Sequence, residues 1–349
     1  MKQENGQDNI QVCVLEEVMD KYTPPYTISN KMLSLVSEIS DKVSRITYNC
    51  SLETRPHLRK NNRIRSIHSS LAIEANSLSL GQVKDVINNK TVLGEQKEIQ
   101  EVKNAYKAYE MLSEINPYDL SDLKKLHLVM TKFLVDEIGK FRKGEEGVFN
   151  GDKCIFMAPP AALVPKLMNE LFSFMKNSKD EVHPLIMSAV FHYEFVFIHP
   201  FSDGNGRMAR LWLTALLYNW KPIFEYIPIE SQIEKFQEDY YEAISKCHIK
   251  GDSNFFIEFM LERIDKVLDE FLEQVKSVDV DYSSYTKKLV DVMKYDIAYT
   301  TKELMELLGL QSRSSFRENY LLPAIKSGFV KMTLPDKPNS RNQRYIRTY

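Results

Sequence analysis

The sequence has few of the features that mark secreted, membrane-spanning or metal-centred proteins. Its four cysteines, Cys13, Cys50, Cys154 and Cys247, lie far apart and match no metal-ligand spacing, so we expect free thiols in a reducing compartment. Acidic residues near the N-terminus stand where a signal peptide needs a basic start and an apolar run. No apolar stretch approaches the roughly 20 residues that cross a bilayer. We therefore expect a cytoplasmic protein with no membrane segment.

The chain also lacks a strong net charge. At −2 over 349 residues, it has no overall attraction to nucleic acid or to an anionic membrane. Its 43% apolar and 27% charged residues are ordinary for a globular protein of two or three domains. The charge is unevenly distributed, because residues 311–349 contain eight Lys/Arg and only two Asp/Glu. The end of the chain is thus basic and the remainder acidic.

Apolar spacing predicts the organisation of the chain. Apolar residues recur at steps of three and four from about residue 28 to 276, which is typical of amphipathic helices. Residues 139–162 differ, because glycines and a Pro-Pro stop there predict a short β-hairpin projecting from the helices. Three short helices and two strands near the C-terminus resemble a winged helix-turn-helix domain. We expect an N-terminal helical region (1–110), a helical core (111–280) and a winged-helix-like domain (283–349).

The stretch "HPFSDGNGRMAR", residues 199–210, interrupts two strongly apolar helices. Pro200 and the Asp-Gly-Asn-Gly cluster end the first helix near Ile198. Gly204 and Gly206 have no Cβ atom, so an oxygen-rich ligand can approach the backbone closely. Unpaired N–H groups at the start of the following helix, together with the helix dipole, bind anions. The stretch therefore predicts a phosphate site.

The side chains of this stretch suit phosphoryl chemistry. Asp203 is placed to ligate a Mg²⁺ ion that bridges phosphate oxygens. Arg207 and Arg210, three residues apart on the first helical turn, can bind phosphates from one face. His199 can act as a general base near neutral pH. The alternative, a capped interhelical loop with an unrelated histidine, is disfavoured because six suitable residues fall within twelve positions.

This stretch resembles the signature H-P-F-x-x-G-N-G-R-x-x-R of Fic-domain proteins at every specified position. Fic proteins are helical, and most transfer AMP from ATP to a hydroxyl of a target protein. The resemblance implies that His199 is the base for a Ser, Thr or Tyr hydroxyl, that Asp203 is the Mg²⁺ ligand, and that Arg210 holds the ATP γ-phosphate. The backbone of the loop would form the anion hole. The implied ATP-binding residues of the loop are Asp203, Gly204, Asn205, Gly206, Arg207 and Arg210.

A segment upstream of the core resembles the inhibitory motif of the same family, [S/T]-x-x-x-E-[G/N]. Ser70 and Glu74 occupy its hydroxyl and carboxylate positions, so we expect an inhibitory helix near 66–78. By resemblance, Glu74 pairs with Arg210 and keeps the Arg210 guanidinium from the γ-phosphate. A carboxylate and a phosphate compete for the same pair of guanidinium N–H donors. Ala75 stands where the motif has Gly or Asn, and we expect its methyl group to alter the close approach of the helix. The alternative is an ordinary amphipathic helix with a solvated glutamate.

Two further features match the family more loosely. The hairpin corresponds to the flap that holds a target segment by strand addition, with backbone groups of Ile155, Phe156 and Met157. Tyr240 and Tyr241 stand where relatives have a Tyr-Tyr pair lining the adenine pocket, although packing in the core would explain them equally well. The asparagine that relatives often carry after this pair is not found in "KCHIK".

Together these features predict a mainly α fold: a Fic-type helical bundle with a β-hairpin flap and a winged-helix-like C-terminal domain. The predicted function is autoinhibited transfer of AMP from ATP, with Mg²⁺, to an unidentified target protein and to the protein itself. Two alternatives stay open. One is a nucleotide-sensing regulator that binds DNA through its basic C-terminal domain, and the other is removal of AMP by the same site. A homodimer that locks the inhibitory helix is a further expectation.

Overall fold

The computed structural model describes residues 22–49, 56–150, 153–279, 284–294, 297–338 and 340–347, and only the backbone of 48–49, 56–57, 148–150, 153–155 and 275–279. Cys13 and Cys50, and the side chain of Cys154, therefore lie outside the description. Cys247 is a free thiol in the core, as expected. No helix in the described ranges combines the length and apolarity needed to cross a membrane.

Helices dominate the chain up to residue 279, which confirms the mainly α prediction. They are α1 (Asn30–Asn49), α2 (Pro56–Ala72), α3 (Leu80–Ile87), α4 (Gln96–Glu110), α5 (Leu120–Met130), α6 (Val164–Ser178), α7 (Pro184–Ile198), α8 (Asn205–Trp220), α9 (Ile229–Lys235), α10 (Gln237–Lys250) and α11 (Asn254–Asp279). Short 3₁₀ turns occupy Met111–Ser113, Ala161–Leu163 and Pro222–Tyr226.

The two central helices, α7 and α8, position the candidate site. Every residue of α7 from Leu185 to Phe195 is buried, as expected for a helix that is apolar on all sides. Helix α8 is similarly buried from Met208 to Leu217 and packs against α7. Because a short loop joins the two helices, the residues of that loop are held between the end of α7 and the start of α8.

The predicted hairpin is present beside the end of α7. Strands β1 (Gly147–Asn150) and β2 (Lys153–Met157) pair antiparallel, and the register shift in this pair leaves Ile155 as a bulge residue. The Phe156 ring lies 5.5 Å from that of Phe197 and 4.2 Å from that of His248. The hairpin is thus anchored to the helical body by one aromatic side chain.

The C-terminal part forms its own apolar cluster around Leu289, Leu304, Phe316 and Ala324. Its elements are α12 (Ser284–Val292), β3 (Ala298–Tyr299), α13 (Thr301–Leu307), α14 (Arg313–Ser315), a π-helical turn (Phe316–Leu321), α15 (Leu322–Lys326), β4 (Val330–Met332) and β5 (Tyr345–Arg347). The three strands form an antiparallel sheet in the order β3-β5-β4. The predicted helices and strand pair are present, whereas β3, of only two residues, was not predicted.

Candidate active site

The loop between α7 and α8 has a conformation that its own residues enforce. His199 ends α7 in the left-handed region (φ 51°, ψ 61°), where a residue with a Cβ atom carries a cost of about 1–2 kcal/mol. Gly204 also has a positive φ of 82° and precedes α8. The Asn205 side chain closes the loop, accepting from the Phe201 N–H at 2.9 Å and donating to the Phe201 carbonyl at 2.7 Å. The loop is therefore closely held.

His127 of α5 packs against this loop and hydrogen-bonds to its backbone. Its ring stacks on Phe201 with the centroids 3.6 Å apart, and its Nδ1 accepts from the Gly139 N–H at 2.9 Å. Nε2 must then carry the proton that bonds the Asp203 carbonyl at 3.0 Å. Burial lowers the pKa of His127 to about 4, so the ring is neutral. The sequence interpretation did not identify this role.

Arg142 joins the base of the hairpin to the backbone of His199. It is buried, and its guanidinium donates to the carbonyls of His199 (2.7 Å), Gly144 (2.8 Å) and Pro159 (2.5 Å). Its own N–H bonds the Pro200 carbonyl at 2.9 Å. A single side chain thus holds the left-handed histidine and the hairpin in one arrangement. The sequence did not predict this role of Arg142, which lies between two glycines at the base of the predicted hairpin.

Loss of Arg142 is expected to impair catalysis by misplacing His199. In a Glu74→Gly background, Arg142→Met should lower kcat by about 10- to 100-fold with little change in the KM for ATP, since small misplacements of a catalytic group have effects of that size. The Arg142 charge also lowers the His199 pKa, so its loss should move the acid limb of the pH–rate profile to higher pH. Arg142→Lys should keep that limb in place. An unmoved limb in Arg142→Met would contradict this role.

The start of α8 has the backbone arrangement expected of an anion site. In the part of the chain that the structure describes, no side chain caps α8, so the N–H groups of its first turn, Asn205 to Arg207, are available to a ligand. The first backbone bond of the helix joins the Met208 N–H to the Gly204 carbonyl at 2.9 Å. Above this turn lies a carboxylate of the protein itself, because a Cβ atom on Gly206 would overlap Oε1 of Glu74. Glu74 Oε1 therefore lies against Gly206 on the first turn of α8.

Arg210 binds the same carboxylate. Its guanidinium is fully buried and donates to Glu74 Oε1 at 2.7 Å, to Ser70 Oγ at 3.0 Å and to the Ser70 carbonyl at 2.9 Å. Burial alone would lower the Arg210 pKa, but the Glu74 carboxylate and nearby phenols more than offset this, so the pKa is raised. The expected pairing of Glu74 with Arg210 is therefore present in the structure, and the contacts of Arg210 with Ser70 are a further finding.

The helix expected near 66–78 ends earlier than predicted. Helix α2 stops at Ala72, and Glu74 lies in the turn that follows it. The Asn76 N–H bonds the Leu71 carbonyl at 3.1 Å and the Ala75 N–H bonds that of Ala72 at 3.0 Å, which is a Schellman arrangement. The motif resemblance placed the helix end near residue 78, but these two bonds turn the chain away from the helix after Ala72.

Ala75 occupies the left-handed position of this turn, with φ of 65°. Glycine is usual there because it has no Cβ atom, and asparagine is the next choice because its short polar side chain tolerates the left-handed region. The departure of Ala75 from the family motif therefore strains the backbone of the turn that carries Glu74. The expectation that the Ala75 methyl group alters the approach of the helix stays a prediction.

Ala75→Gly is expected to stabilise the turn. Removing the Cβ atom relieves a left-handed strain of about 1–2 kcal/mol, partly offset by the greater freedom of glycine in the unfolded chain, so a net gain of about 0.5–1 kcal/mol should result. Because the same turn holds Glu74 on Arg210, basal ATP-dependent labelling should also fall. Thermal unfolding and labelling of the variant check both effects. A lower midpoint or higher labelling would contradict the assignment.

Arg207 binds different partners from Arg210, although the two were predicted to share one face for phosphates. Its guanidinium is buried and lies 3.0 Å from Asp203 Oδ1 and 3.4 Å from Glu101 Oε1. Glu101 in turn accepts from Asn76 Nδ2 at 2.8 Å. The turn after α2 is thus linked through Glu101 to the start of α8.

Asp203 is the residue that the loop signature implies as the Mg²⁺ ligand. Its carboxylate is 41% exposed, and Oδ1 accepts from the Gly204 N–H at 2.6 Å. Among the described side chains there is no cluster of three or more His, Cys, Asp or Glu residues that could hold a metal alone. A lone carboxylate beside a phosphate site is the donor set with which Mg²⁺ binds nucleotides, because substrate oxygens and waters supply the other ligands.

The predicted Tyr-Tyr pair divides between core and surface. Tyr240 is 2% exposed, and its hydroxyl lies 2.9 Å from Nε2 of the buried His192. Tyr241 is 50% exposed and its ring meets that of Tyr240 edge-on at 5.2 Å. In this structure Tyr241 is the member of the pair with an accessible ring, and Tyr240 supports it from the core.

Comparison with known proteins identifies the family. The Fic/DOC family model matches residues 117–217, and the model of the C-terminal domain of Fic-like proteins, named for filamentation induced by cAMP, matches residues 285–348. A Fic family protein from Desulfovibrio desulfuricans G20, known from its crystal structure, is 43% identical, with a TM-score of 0.72, over 94% of this chain and 98% of that one. The chain belongs to the Fic family. The helical fold expected from the loop signature is thereby confirmed.

Curated relatives bear on activity. The Fic-family protein adenylyltransferase of Nematostella vectensis is 27% identical over 278 residues, which is 76% of this chain and 61% of that protein. That of Aedes aegypti is 31% identical over 220 residues, 60% of this chain and 42% of that protein. The Fic chain described here thus spans about half the length of these relatives.

Proposed function

We propose that this Fic protein is an autoinhibited protein adenylyltransferase that transfers AMP from ATP to a hydroxyl of a target protein and to itself. One observation carries the proposal: the Glu74 carboxylate lies on the open first turn of α8 and is bound by Arg210. A site that binds a carboxylate of its own chain in this way is suited to the phosphates of ATP. The curated relatives named as adenylyltransferases support the same chemistry.

In the proposed reaction, the first-turn N–H groups and Arg210 bind the phosphates once Glu74 has left. Asp203 would hold Mg²⁺, which when bound neutralises charge on the phosphates. Arg207, bound to Asp203 at 3.0 Å, keeps that carboxylate beside the loop. The exposed ring of Tyr241 offers the adenine a stacking surface, with Tyr240 behind it.

His199 acts as the base. The target hydroxyl oxygen attacks the α-phosphorus, its proton passes to His199, the bond to the bridging oxygen breaks, and pyrophosphate leaves with the electron pair. Burial lowers the His199 pKa, and the Val196 carbonyl and Glu146 carboxylate offset this only in part, so the ring is neutral at pH 7. Because the Val196 carbonyl accepts a hydrogen bond from one ring nitrogen, which keeps its proton, the other nitrogen is left to accept the substrate proton.

The hairpin is proposed to present the target. In the described ranges its sheet has two strands, so β2 has an edge not paired with another strand, along Ile155, Phe156 and Met157. An extended segment of the target can add to that edge beside His199.

We keep the proposed division into 1–110, 111–280 and 283–349, which the two family matches fit.

The choice of labelled phosphate tests the proposal. The Glu74→Gly protein is incubated with Mg²⁺ and either α-labelled or γ-labelled ATP, and label on protein is followed. Label from the α-position alone is expected, because pyrophosphate carries the γ-phosphate away. Label from the γ-position would indicate phosphate transfer instead, and would reject AMP transfer.

A further inference from the structure

The C-terminal unit carries a groove of about 840 Å³, separate from the candidate active site. It lies between α13, the helical stretch Arg313–Lys326, and the segment that joins β4 to β5. A volume of this size is within the range of sites that hold small ligands and short segments of chain. Its floor is apolar and is formed by Met305, Leu310, Leu322, Ile325 and Met332.

The rim of the groove is basic. Arg313, Arg317 and Arg341 line it and are exposed, and none of them forms an ion pair within 4.0 Å among the residues described for this unit. The other two charges of the lining, Lys302 and Glu306, pair with each other at 3.8 Å. Three unpaired guanidinium groups therefore surround an apolar floor.

A buried acceptor in the lining lacks a partner. Gln343 is 6% exposed, and its Nε2 donates to the Arg344 carbonyl at 2.6 Å. Its Oε1 is buried and has no hydrogen-bond partner among the described atoms. A buried acceptor left in this way is unfavourable, and an N–H donor entering the groove would satisfy it.

We propose that this groove binds an extended acidic segment of a partner protein. Aliphatic side chains of the segment enter the floor, its carboxylates meet the three arginines, and a backbone N–H donates to Gln343 Oε1. The observations favour a peptide over DNA, because the phosphate backbone offers acceptors only and has no use for an apolar floor. The π-helical turn Phe316–Leu321 also departs from regular α-helical geometry in the helix that would have to lie in a DNA groove. This proposal does not depend on AMP transfer.

Fluorescence anisotropy of labelled probes with the full chain tests it. The first probe is a decapeptide that alternates Asp-Glu pairs with single leucines, and its controls replace the leucines by serine or the acids by lysine. A mixed-sequence DNA duplex of two helical turns is the fourth probe. We expect the acidic leucine peptide to bind at least about tenfold more tightly than either control, with affinity falling as salt rises.

Three variants locate the binding. Arg313→Glu/Arg317→Glu should weaken binding of the acidic leucine peptide by about tenfold or more, while Lys331→Glu/Lys337→Glu, with the same change of charge outside the groove, should stay within about twofold. Gln343→Leu should weaken it about tenfold by removing the acceptor. The proposal is overturned if the three peptides bind equally or if none of them binds. It is also overturned if the duplex binds more tightly than the acidic leucine peptide and Arg313→Glu/Arg317→Glu abolishes binding of the duplex.

Discussion

Replacing Glu74 by glycine is expected to raise ATP-dependent labelling of the protein by about 10- to 100-fold. A hydrogen bond between charged groups is worth about 1.5–3 kcal/mol, and Glu74 makes such a bond to Arg210 at 2.7 Å. Its carboxylate also covers the first turn of α8 at Gly206. The substitution removes both obstacles, so the ATP phosphates can take the place of the carboxylate. Incorporation of α-labelled phosphate per minute measures the effect.

Matched variants show whether charge at this position is responsible. Glu74→Gln keeps the size of the side chain but weakens its bond to Arg210, so labelling should lie between wild type and Glu74→Gly. Glu114→Gly removes an exposed carboxylate outside the site and should leave labelling at the wild-type level. If Glu114→Gly rises as far as Glu74→Gly, or if neither rises, Glu74 is not the inhibitory group.

Replacing His199 by alanine in the Glu74→Gly background is expected to lower labelling by about 10²–10⁴-fold, the usual contribution of a general base. The KM for ATP should change little, because the phosphate contacts come from α8 and Arg210. With His199 present, the lowered pKa means that the neutral base persists below its ordinary 6.5. The acid limb of the kcat profile should therefore lie below pH 6.5.

A second histidine serves as the control for this loss. His68 lies on α2 and is partly exposed, so His68→Ala in the same background should keep nearly full activity. ATP binding by Glu74→Gly/His199→Ala should be retained in calorimetry. Retained turnover in His199→Ala, or an equal loss in His68→Ala, would remove His199 from the role of base.

Local sequence was enough to predict the loop between α7 and α8. Its glycines, Asp203 and His199 follow one another along the chain, so their spacing alone places them at a helix start. The pairing of Glu74 with Arg210 crosses 136 positions and came only through resemblance to the Fic family. The structure contains this pairing, so the resemblance predicted a contact that the spacing of residues could not.

The supporting residues could not be found in this way. Arg142 reaches the His199 carbonyl across 57 positions, and His127 reaches the Asp203 carbonyl across 76. Such contacts depend on how the helices pack, and no spacing along the chain encodes them. Tyr240 is a similar case. The sequence places it in a Tyr-Tyr pair that could line a pocket, whereas its burial follows from packing against His192.

The end of α2 was misplaced for a different reason. A Schellman turn is usually marked by glycine at its left-handed residue, and here that residue is Ala75. The resemblance to the inhibitory motif placed the helix near 66–78, and without a glycine nothing in the sequence marked an earlier end. The same substitution that hid the helix end is the one that strains the turn holding Glu74.

Intact-mass spectrometry of three proteins tests the central claim most directly. Wild type, Glu74→Gly and Glu74→Gly/His199→Ala are incubated with ATP and Mg²⁺ under identical conditions. The mass of one or more adenylyl groups should appear on Glu74→Gly, with little or none on wild type and none on the double variant. Equal masses for all three proteins, or a gain of the mass of phosphate alone, would contradict AMP transfer by His199 under the control of Glu74.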